Sequence, residues 1–188
     1  MKLSKSLAIL LFTSLTFQSF GQIKKINIEK SLLNWTGKAA FSSYTLTGHI
    51  KPKRGKIEIK SDSIIALTIV IDMKSISHEY KDLVKHLKSK DFFDVKKFEE
   101  AYFELTKPSV IKDNIAVLTG NMTIKNVTHQ ESITINLQDN YNSISFNVLL
   151  DRTKYGIKFN SPNFFKKLKE NAIADEFKLE GTLNLETN

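Results

Sequence analysis

The side chains best able to do chemistry in this chain are its histidines, and their spacing does not suit a metal or catalytic centre. There are four of them: His49, His78, His86 and His129. No pair has metal-ligand spacing, and the chain has no cysteine to complete a site. His86 lies three residues after Leu83, beside the apolar face of a helical segment. A histidine in that position is more often structural, but it is also a candidate for hydrogen bonding to the polar head of a ligand.

The remaining polar residues do not form a recognisable active site. Glu99 and Glu100 are adjacent in sequence, which is a poor arrangement for paired acid and base catalysis. The chain has no Gly-x-Ser-x-Gly motif, phosphate-binding loop or dinucleotide fingerprint. Asp151 and Arg152 follow a strand-like segment, where they are predicted to pair with each other or with a polar head group. The sequence therefore predicts a protein that is not an enzyme and holds no metal or organic cofactor.

Aromatic side chains are numerous, and they allow two interpretations. The chain has thirteen phenylalanines, five tyrosines and one tryptophan, with clusters at residues 92–103 and 159–165. They either fill a packed core or line a tunnel for a long apolar ligand. Composition alone favours the packed core, because most buried aromatic side chains serve that purpose.

Alternation of apolar and polar residues indicates the elements that must position these side chains. It recurs in residues 57–59, 65–71, 115–117, 133–137, 144–150 and 177–185. A period of two predicts strands with one buried face, and that face is expected to include Ile65, Ile115 and Val117. Short polar turns such as Lys60–Ser63 join the strands, which favours an antiparallel sheet. So many strands are expected to close into an all-β barrel or split into a sandwich, because open edges invite aggregation.

Two segments depart from this period and predict short helices packed at the ends of the barrel. Residues 79–88 repeat their apolar side chains at helical spacing, with Ser77 as the predicted N-cap. Residues 161–171 also place phenylalanines on one face, and Pro162 suits the first turn of a helix.

Residues 1–21 have the composition of a secretory signal peptide. Lys2 and Lys5 precede an apolar run that is too short to span a bilayer, and residues 19–21 offer small side chains for cleavage. We therefore expect an exported protein, periplasmic or secreted, with a single domain over residues 22–188.

Charge and cysteine content limit the partners. The chain has 28 basic and 20 acidic residues, a net charge of +8, which favours transient contact with an anionic membrane surface. No nucleic-acid-binding motif accompanies this charge, so we expect no nucleic acid partner. Without cysteine there are no disulfides and no lipid-anchoring cysteine, so the core alone must stabilise the fold. The sequence is compatible with a monomer or a homodimer.

One motif is more specific than any of these patterns. His86-Leu87 is followed by Asp91-Phe92-Phe93-Asp94. Four further motifs, before and after this one, lie in residues 71–76, 118–128, 151–157 and 173–177. With these motifs the chain resembles the YceI-like family of exported bacterial lipid-binding proteins over residues 31–185. Asn126 stands where that family usually has glycine.

The resemblance implies a lipocalin-like antiparallel β-barrel whose interior binds a long-chain lipid, such as a polyisoprenoid or an isoprenoid quinone. It shifts the interpretation of the aromatic side chains from packed core towards a tunnel. On this basis the predicted ligand-binding residues are Trp35, Ile71, Leu83, His86, Leu87, Phe92, Phe93, Phe103, Phe146, Arg152, Tyr155 and Phe165. His86 and Arg152 are expected nearer the polar end of the ligand. The alternative is a ligand-free barrel that acts as an envelope-stress or protein-interaction module.

Overall fold

The alternating segments form long antiparallel strands in the computed structural model, which describes residues 21–168 and 171–187. The strands are β1 (Gln22–Lys38), β2 (Thr45–Lys60), β3 (Ser63–Ser77), β4 (Glu100–Leu105), β5 (Ser109–Val110), β6 (Ile115–Ile124), β7 (Val127–Gln138), β8 (Ser143–Asp151) and β9 (Glu176–Thr187). One α-helix, α1 (Lys81–Leu87), and a 3₁₀ helix (Arg152–Tyr155) accompany them in these ranges. Apart from Gly21, the predicted signal peptide lies outside the described residues.

The sheet closes on itself through eight strands. The pairings run antiparallel through β1, β2, β3, β4, β6, β7, β8 and β9, and β9 returns to pair with β1. The short β5 only adds a pair of residues to β3. Closure removes the open edges of the sheet, so the prediction of an all-β, lipocalin-like antiparallel barrel is confirmed over the sandwich.

The two ends of this barrel are built differently. One end, here called the turn end, carries the tight β2–β3 turn at Ser61 and the start of β1. The opposite end, here called the loop end, carries the β1–β2 turn, α1 and the long connection of residues 156–175 into β9. Buried Ile57, Ile64 and Leu137 pack together at the turn end.

A β-bulge near the turn end reverses the predicted direction of Ile65. Glu58 opposes Ala66, but Ile59 opposes Ile64, so Ile65 is the extra residue on β3. Ile64 is therefore fully buried, whereas Ile65 is 36% exposed. The alternating pattern shows no break at the bulge, because both phases are apolar there.

The predicted core face of β6 was wrong for the same reason. Ile115 and Val117 are exposed, whereas Ala116 and Leu118 between and after them are buried. The first residues of β6 are apolar on both faces, so alternation cannot choose between them. Met122, further along the strand, lies on the same buried face as Leu118 and fixes the phase.

Only the first predicted helix is present in the described ranges. α1 begins after Tyr80, which has an extended backbone and makes no side-chain cap. The predicted cap, Ser77, is instead the last residue of β3. Leu87 is the buried residue of α1. None of the described helices is long and apolar enough to cross a membrane.

The second predicted helix is replaced by turns. Phe164 and Phe165 both donate their backbone N–H groups to the carbonyl of Ser161, at 3.1 and 3.0 Å, and residues 166–168 do not continue a helix. Both phenylalanine side chains are about half exposed, so the segment has no buried apolar face to stabilise helical structure. The second short helical element is instead the 3₁₀ helix, which the sequence did not indicate.

The β6–β7 turn explains how the chain tolerates its departure from the family pattern. Lys125 and Asn126 form a two-residue hairpin loop with φ values of 53° and 60°. Such turns require left-handed backbone at both positions, and asparagine adopts it readily. Asn126 therefore keeps the turn that glycine would otherwise form.

Candidate ligand-binding cavity

A cavity of about 300 Å³ extends from the loop end into the barrel. Leu118, Ile135 and Leu183 line its deep part. Buried Ile57 and Ile64 lie beyond them and are not part of the lining, so the turn end is packed solid. The barrel is thus a filled core at one end and a cavity of a size suited to small molecules at the other.

The polar part of the cavity lining is confined to the loop end. Its charged, imidazole and amide side chains are Lys38, His86, Arg152, Asn171 and Glu176. Lys38, Tyr44, Asn171 and Glu176 are exposed, so the cavity reaches the surface where they lie. A polar mouth above an apolar interior is complementary to a molecule with a small polar head and a long hydrocarbon chain.

The His-Leu and Asp-Phe-Phe-Asp residues build the roof of the cavity. Leu87 at the end of α1 is buried, and the backbone N–H of Phe93 returns to its carbonyl at 3.1 Å. Phe92 is also buried, and Lys125 Nζ donates to the Phe92 carbonyl at 2.7 Å. These contacts fold residues 88–95 back under α1, which directs the adjacent phenylalanines to the cavity.

His86 contributes an unpaired polar atom to this roof. Its ring packs edge-on against Phe92 and Phe159, with centroid distances of 5.4 and 4.5 Å. Its Nε2 is buried and has no hydrogen-bond partner among the described residues. Because buried polar groups normally have partners, this nitrogen is the best candidate in the cavity lining to bind a polar ligand atom.

Arg152 has a different role, because all three nitrogens of its guanidinium already donate to backbone carbonyls. The guanidinium donates to the carbonyls of Ala174, Ile157 and Ile173 at 3.1, 2.8 and 3.0 Å. Its Nη2 lies 3.6 Å from Asp175 Oδ1, an ion pair too long for a hydrogen bond. Burial lowers the pKa of Arg152, and the Asp175 charge opposes that change. Arg152 therefore fastens the loop-end connection and presents its flat face to the roof.

The predicted pairing of Asp151 with Arg152 does not occur. Asp151 Oδ1 accepts instead from the backbone N–H and the hydroxyl of Thr153, at 2.8 and 2.6 Å. These bonds cap the 3₁₀ helix, which turns the Arg152 side chain inward. The cation that Asp151 was expected to neutralise is bound by backbone carbonyls and faced by Asp175.

Most of the predicted ligand-binding residues line this cavity. Those that do are Trp35, Ile71, Leu83, His86, Leu87, Phe92, Phe93, Phe103, Phe146 and Arg152. The prediction missed much of the deep lining, including Leu118, Met122 and Ile135. Alternation had placed only Ile135 on a predicted strand, and Leu118 and Met122 belonged to the family motif at 118–128. Apolar residues of this kind occur equally in a packed core. Residues 171–174 also line the cavity and were not predicted to do so, although 173–177 matched one of the family motifs.

Two predicted residues lie elsewhere, and the prediction is corrected for both. Tyr155 is fully buried outside the cavity, where its hydroxyl donates to Glu131 Oε1 at 3.1 Å. Its ring packs edge-on against His129, and burial raises its pKa. Phe165 is 50% exposed on the loop-end surface, because its segment forms turns rather than a packed helix.

The described ranges contain no group of three histidine, aspartate or glutamate side chains that could hold a metal ion. The fold and the cavity together define a lipocalin-like β-barrel with an internal apolar site. Residues 25–185 match the model of the YceI-like domain. The chain therefore belongs to the YceI-like family, which confirms the resemblance drawn from the motifs.

Solved structures share this fold at low sequence identity. BcnA of Burkholderia cenocepacia is 17% identical with a TM-score of 0.69, over 86% of this chain and 99% of that chain. A polyisoprenoid binding domain from Saccharophagus degradans is 12% identical with a TM-score of 0.61, over 90% and 100%. The Campylobacter jejuni YceI protein is 15% identical with a TM-score of 0.55, over 100% and 93%. These likenesses establish the shared barrel.

A relative from Staphylococcus aureus is closer in sequence but matches over a shorter stretch. The UPF0312 protein SAB2563 is 31% identical over 116 residues. The match spans 55% of this chain and 63% of that protein.

Proposed function

We propose that this protein binds a single long-chain apolar lipid of the polyisoprenoid or isoprenoid quinone class inside the barrel, and sequesters or carries it. The observation that carries the proposal is the division of the cavity into an apolar interior and a polar mouth. The polyisoprenoid binding domain from Saccharophagus degradans, which has the same fold, supports the choice of ligand class.

Transfer of the hydrocarbon chain out of water is the driving force in this proposal. Each buried methylene contributes about 0.8 kcal/mol. Enclosing about ten carbons therefore supplies about 8 kcal/mol, before the cost of ordering the chain is subtracted. Affinity would thus depend mainly on how much chain the cavity encloses, and hardly on polar contacts.

The ligand would enter chain first, with its polar head at the loop end. His86 is the residue we assign to the head, because its Nε2 is buried and unpaired among the described residues. Arg152 is a poorer candidate, since three backbone carbonyls already accept from its guanidinium. The deep aliphatic residues would contact only the chain.

Native mass spectrometry of protein purified without detergent, followed by solvent extraction, tests the proposal. Ala101→Trp should abolish a bound lipid mass, because Ala101 lines the cavity and the indole would fill it. Ala66→Trp is the matched control, since Ala66 lies on β3 outside the cavity lining. If wild-type protein has only its own mass, and still does after a polyprenol is added back, the proposal fails and the interaction-module alternative gains.

A second comparison tests the assignment of the head group. Wild-type protein should bind a polyprenol more tightly than the hydrocarbon of equal length by about fivefold, the value of one hydrogen bond. His86→Leu should remove that preference and retain affinity for the hydrocarbon. An unchanged preference would assign the head to another residue.

The site of action is part of the same proposal. We infer that the protein works in the periplasm or outside the cell, because Lys2 and Lys5 precede a short apolar run. Fractionation of expressing cells and N-terminal sequencing of the mature protein would test this. Protein recovered in the cytoplasm with Met1 intact would refute it.

A further inference from the structure

Exposed aromatic side chains lie beside the mouth of the cavity. Phe41 and Tyr44 in the β1–β2 turn are 70% and 58% exposed, and Phe164 and Phe165 are 49% and 50% exposed. Their two segments, residues 38–45 and 157–168, are here called the mouth rim. Large aromatic side chains grouped at one end of a barrel indicate a surface that meets an apolar partner.

Backbone hydrogen bonds hold the two segments of the mouth rim on the same side of the cavity. Ala174 N–H donates to the carbonyl of Lys38 at 2.9 Å. Ile173 N–H donates to the carbonyl of Asn160, also at 2.9 Å. Ala174 and Ile173 both line the cavity, so the exposed rings stand beside its opening.

The charge of the mouth rim is uniformly positive. Its ionisable residues at neutral pH are Lys38, Lys158, Lys166 and Lys167, and neither segment contains aspartate or glutamate. Lys158 Nζ lies 4.4 Å from the centroid of the Phe164 ring, so cation and aromatic ring share one surface. Two carboxylates lie next to the rim: Asp175, whose Oδ2 accepts from Asn163 Nδ2 at 2.6 Å and whose side chain is largely buried, and Glu176 in the cavity lining.

We propose that the mouth rim docks on an anionic lipid bilayer. Aromatic rings favour the headgroup level of a membrane, and nearby lysines gain from anionic lipids. Docking in this orientation would place the mouth of the cavity against the bilayer, so that an apolar ligand passes between them without crossing water. The role of docking in lipid transfer rests on the proposed function, whereas vesicle binding can be measured independently of it.

A bilayer fits this surface better than a protein partner does. The rim places four exposed aromatic rings and four lysines together beside the opening, which is the combination that the headgroup level of an anionic membrane favours. Lysines of this kind can extend their charges to headgroups while their stems stay beside apolar material. A ligand of the proposed class is itself stored in bilayers because it is insoluble in water.

Co-sedimentation with vesicles tests the proposal. Full-length mature protein should bind vesicles of equal parts phosphatidylcholine and phosphatidylglycerol, and binding should weaken with salt. Lys166→Glu/Lys167→Glu should weaken it by about tenfold or more. The matched control is Lys60→Glu/Lys112→Glu, which changes the net charge equally at the turn end. It should bind as wild type does.

The aromatic contribution has its own matched pair. Phe164→Ser/Phe165→Ser should lower vesicle binding at fixed salt, because two exposed rings leave the rim. Val110→Ser/Ile115→Ser removes exposed apolar side chains at the turn end and should have no effect. Because all four positions are exposed, circular dichroism should show folded protein in each case. If rim variants bind vesicles as wild type does, or if the rim and control pairs lose binding equally, the proposal is overturned and the rim is left to a protein partner.

Failure of docking and failure of lipid binding give different results. Ala101→Trp, which blocks the cavity, should dock normally while it retains no lipid. Rim variants should retain a polyprenol delivered from detergent micelles, because the exposed rings of Phe164 and Phe165 lie outside the cavity lining. If the protein binds vesicles but neither wild type nor any variant retains lipid, the proposed function is refuted. If the protein retains lipid but the rim variants bind vesicles as wild type does, the docking surface is refuted.

Discussion

The two arginines of this chain offer a direct test of how the mouth is positioned. Arg152 is almost completely buried, and its guanidinium donates to three backbone carbonyls of the loop-end connection. Arg54 is 58% exposed and makes a two-bond contact with Glu100, at 2.9 and 3.0 Å. The same substitution, Arg152→Met or Arg54→Met, should therefore have very different consequences.

The magnitudes follow from what each substitution leaves behind. Arg152→Met would leave the carbonyls of Ile157, Ile173 and Ala174 unsatisfied and the largely buried Asp175 carboxylate without its cation. Removing one partner of a buried ion pair costs about 3–5 kcal/mol, and each unsatisfied carbonyl adds to that cost. Arg54→Met breaks only an exposed contact, which water and salt screen, so its loss of stability should be much smaller.

Urea unfolding followed by circular dichroism measures both free energies of unfolding. Hydrogen exchange should also rise in residues 157–175 of Arg152→Met and stay unchanged there in Arg54→Met, because only Arg152 fastens that connection. The reasoning is refuted if the two variants lose equal stability. It is also refuted if Arg152→Met destabilises by less than about 1 kcal/mol.

Three further outcomes are expected. Phe93→Asp should abolish lipid retention, because it places a charge in the apolar lining. Val110→Asp, at an exposed site, should retain lipid. Retention by both variants would contradict the assignment of the cavity. Asn126→Gly should change the free energy of unfolding, measured in urea, by less than about 0.5 kcal/mol. Asn126→Val should lower it by more than about 1 kcal/mol, because a β-branched residue rarely adopts a φ of 60°. Hydrogen bonds from Arg54 and then Lys53 lower the pKa of Glu100 from 4.5 to about 2, so its contribution to stability is complete above pH 4.5 and lost as the pH falls towards 2. Carboxyl NMR titration should show that pKa and a rise in Arg54→Met; no rise would contradict it.

The barrel could be predicted from the sequence because strand periodicity is a local signal. Alternation of apolar and polar residues indicates the buried face of each strand, and a sheet of this many strands is expected to close into a barrel. The prediction failed where both phases were apolar, at Ile65 and at Ile115 and Val117. At those positions the pairing with neighbouring strands decides which face of the strand is buried, and the sequence of one strand contains no information about that pairing.

The mouth was harder to predict because distant contacts build it. Residues 171–174 line the cavity only because Arg152 and the β1–β2 turn bind their backbone. Phe165 reads as one side of a helix, yet no surface covers that side and the segment forms turns. Tyr155 is a buried aromatic residue like several that line the cavity. Its hydrogen bond to Glu131 shows that its side chain points away from the cavity.

The position of the aromatic side chains explains why the barrel has a cavity at all. Composition suggested that phenylalanines fill the interior, but Phe92, Phe93 and Phe159 gather in the roof at the loop end, where ring centroids lie 5.8 and 6.0 Å apart. The interior beneath them is lined mostly by aliphatic side chains, together with Phe103 and Phe146, and an open space remains between them. An apolar chain entering this space would gain dispersion contacts with the lining. Because it would bind only the folded barrel, its binding should raise the stability of the roof as well as that of the strands.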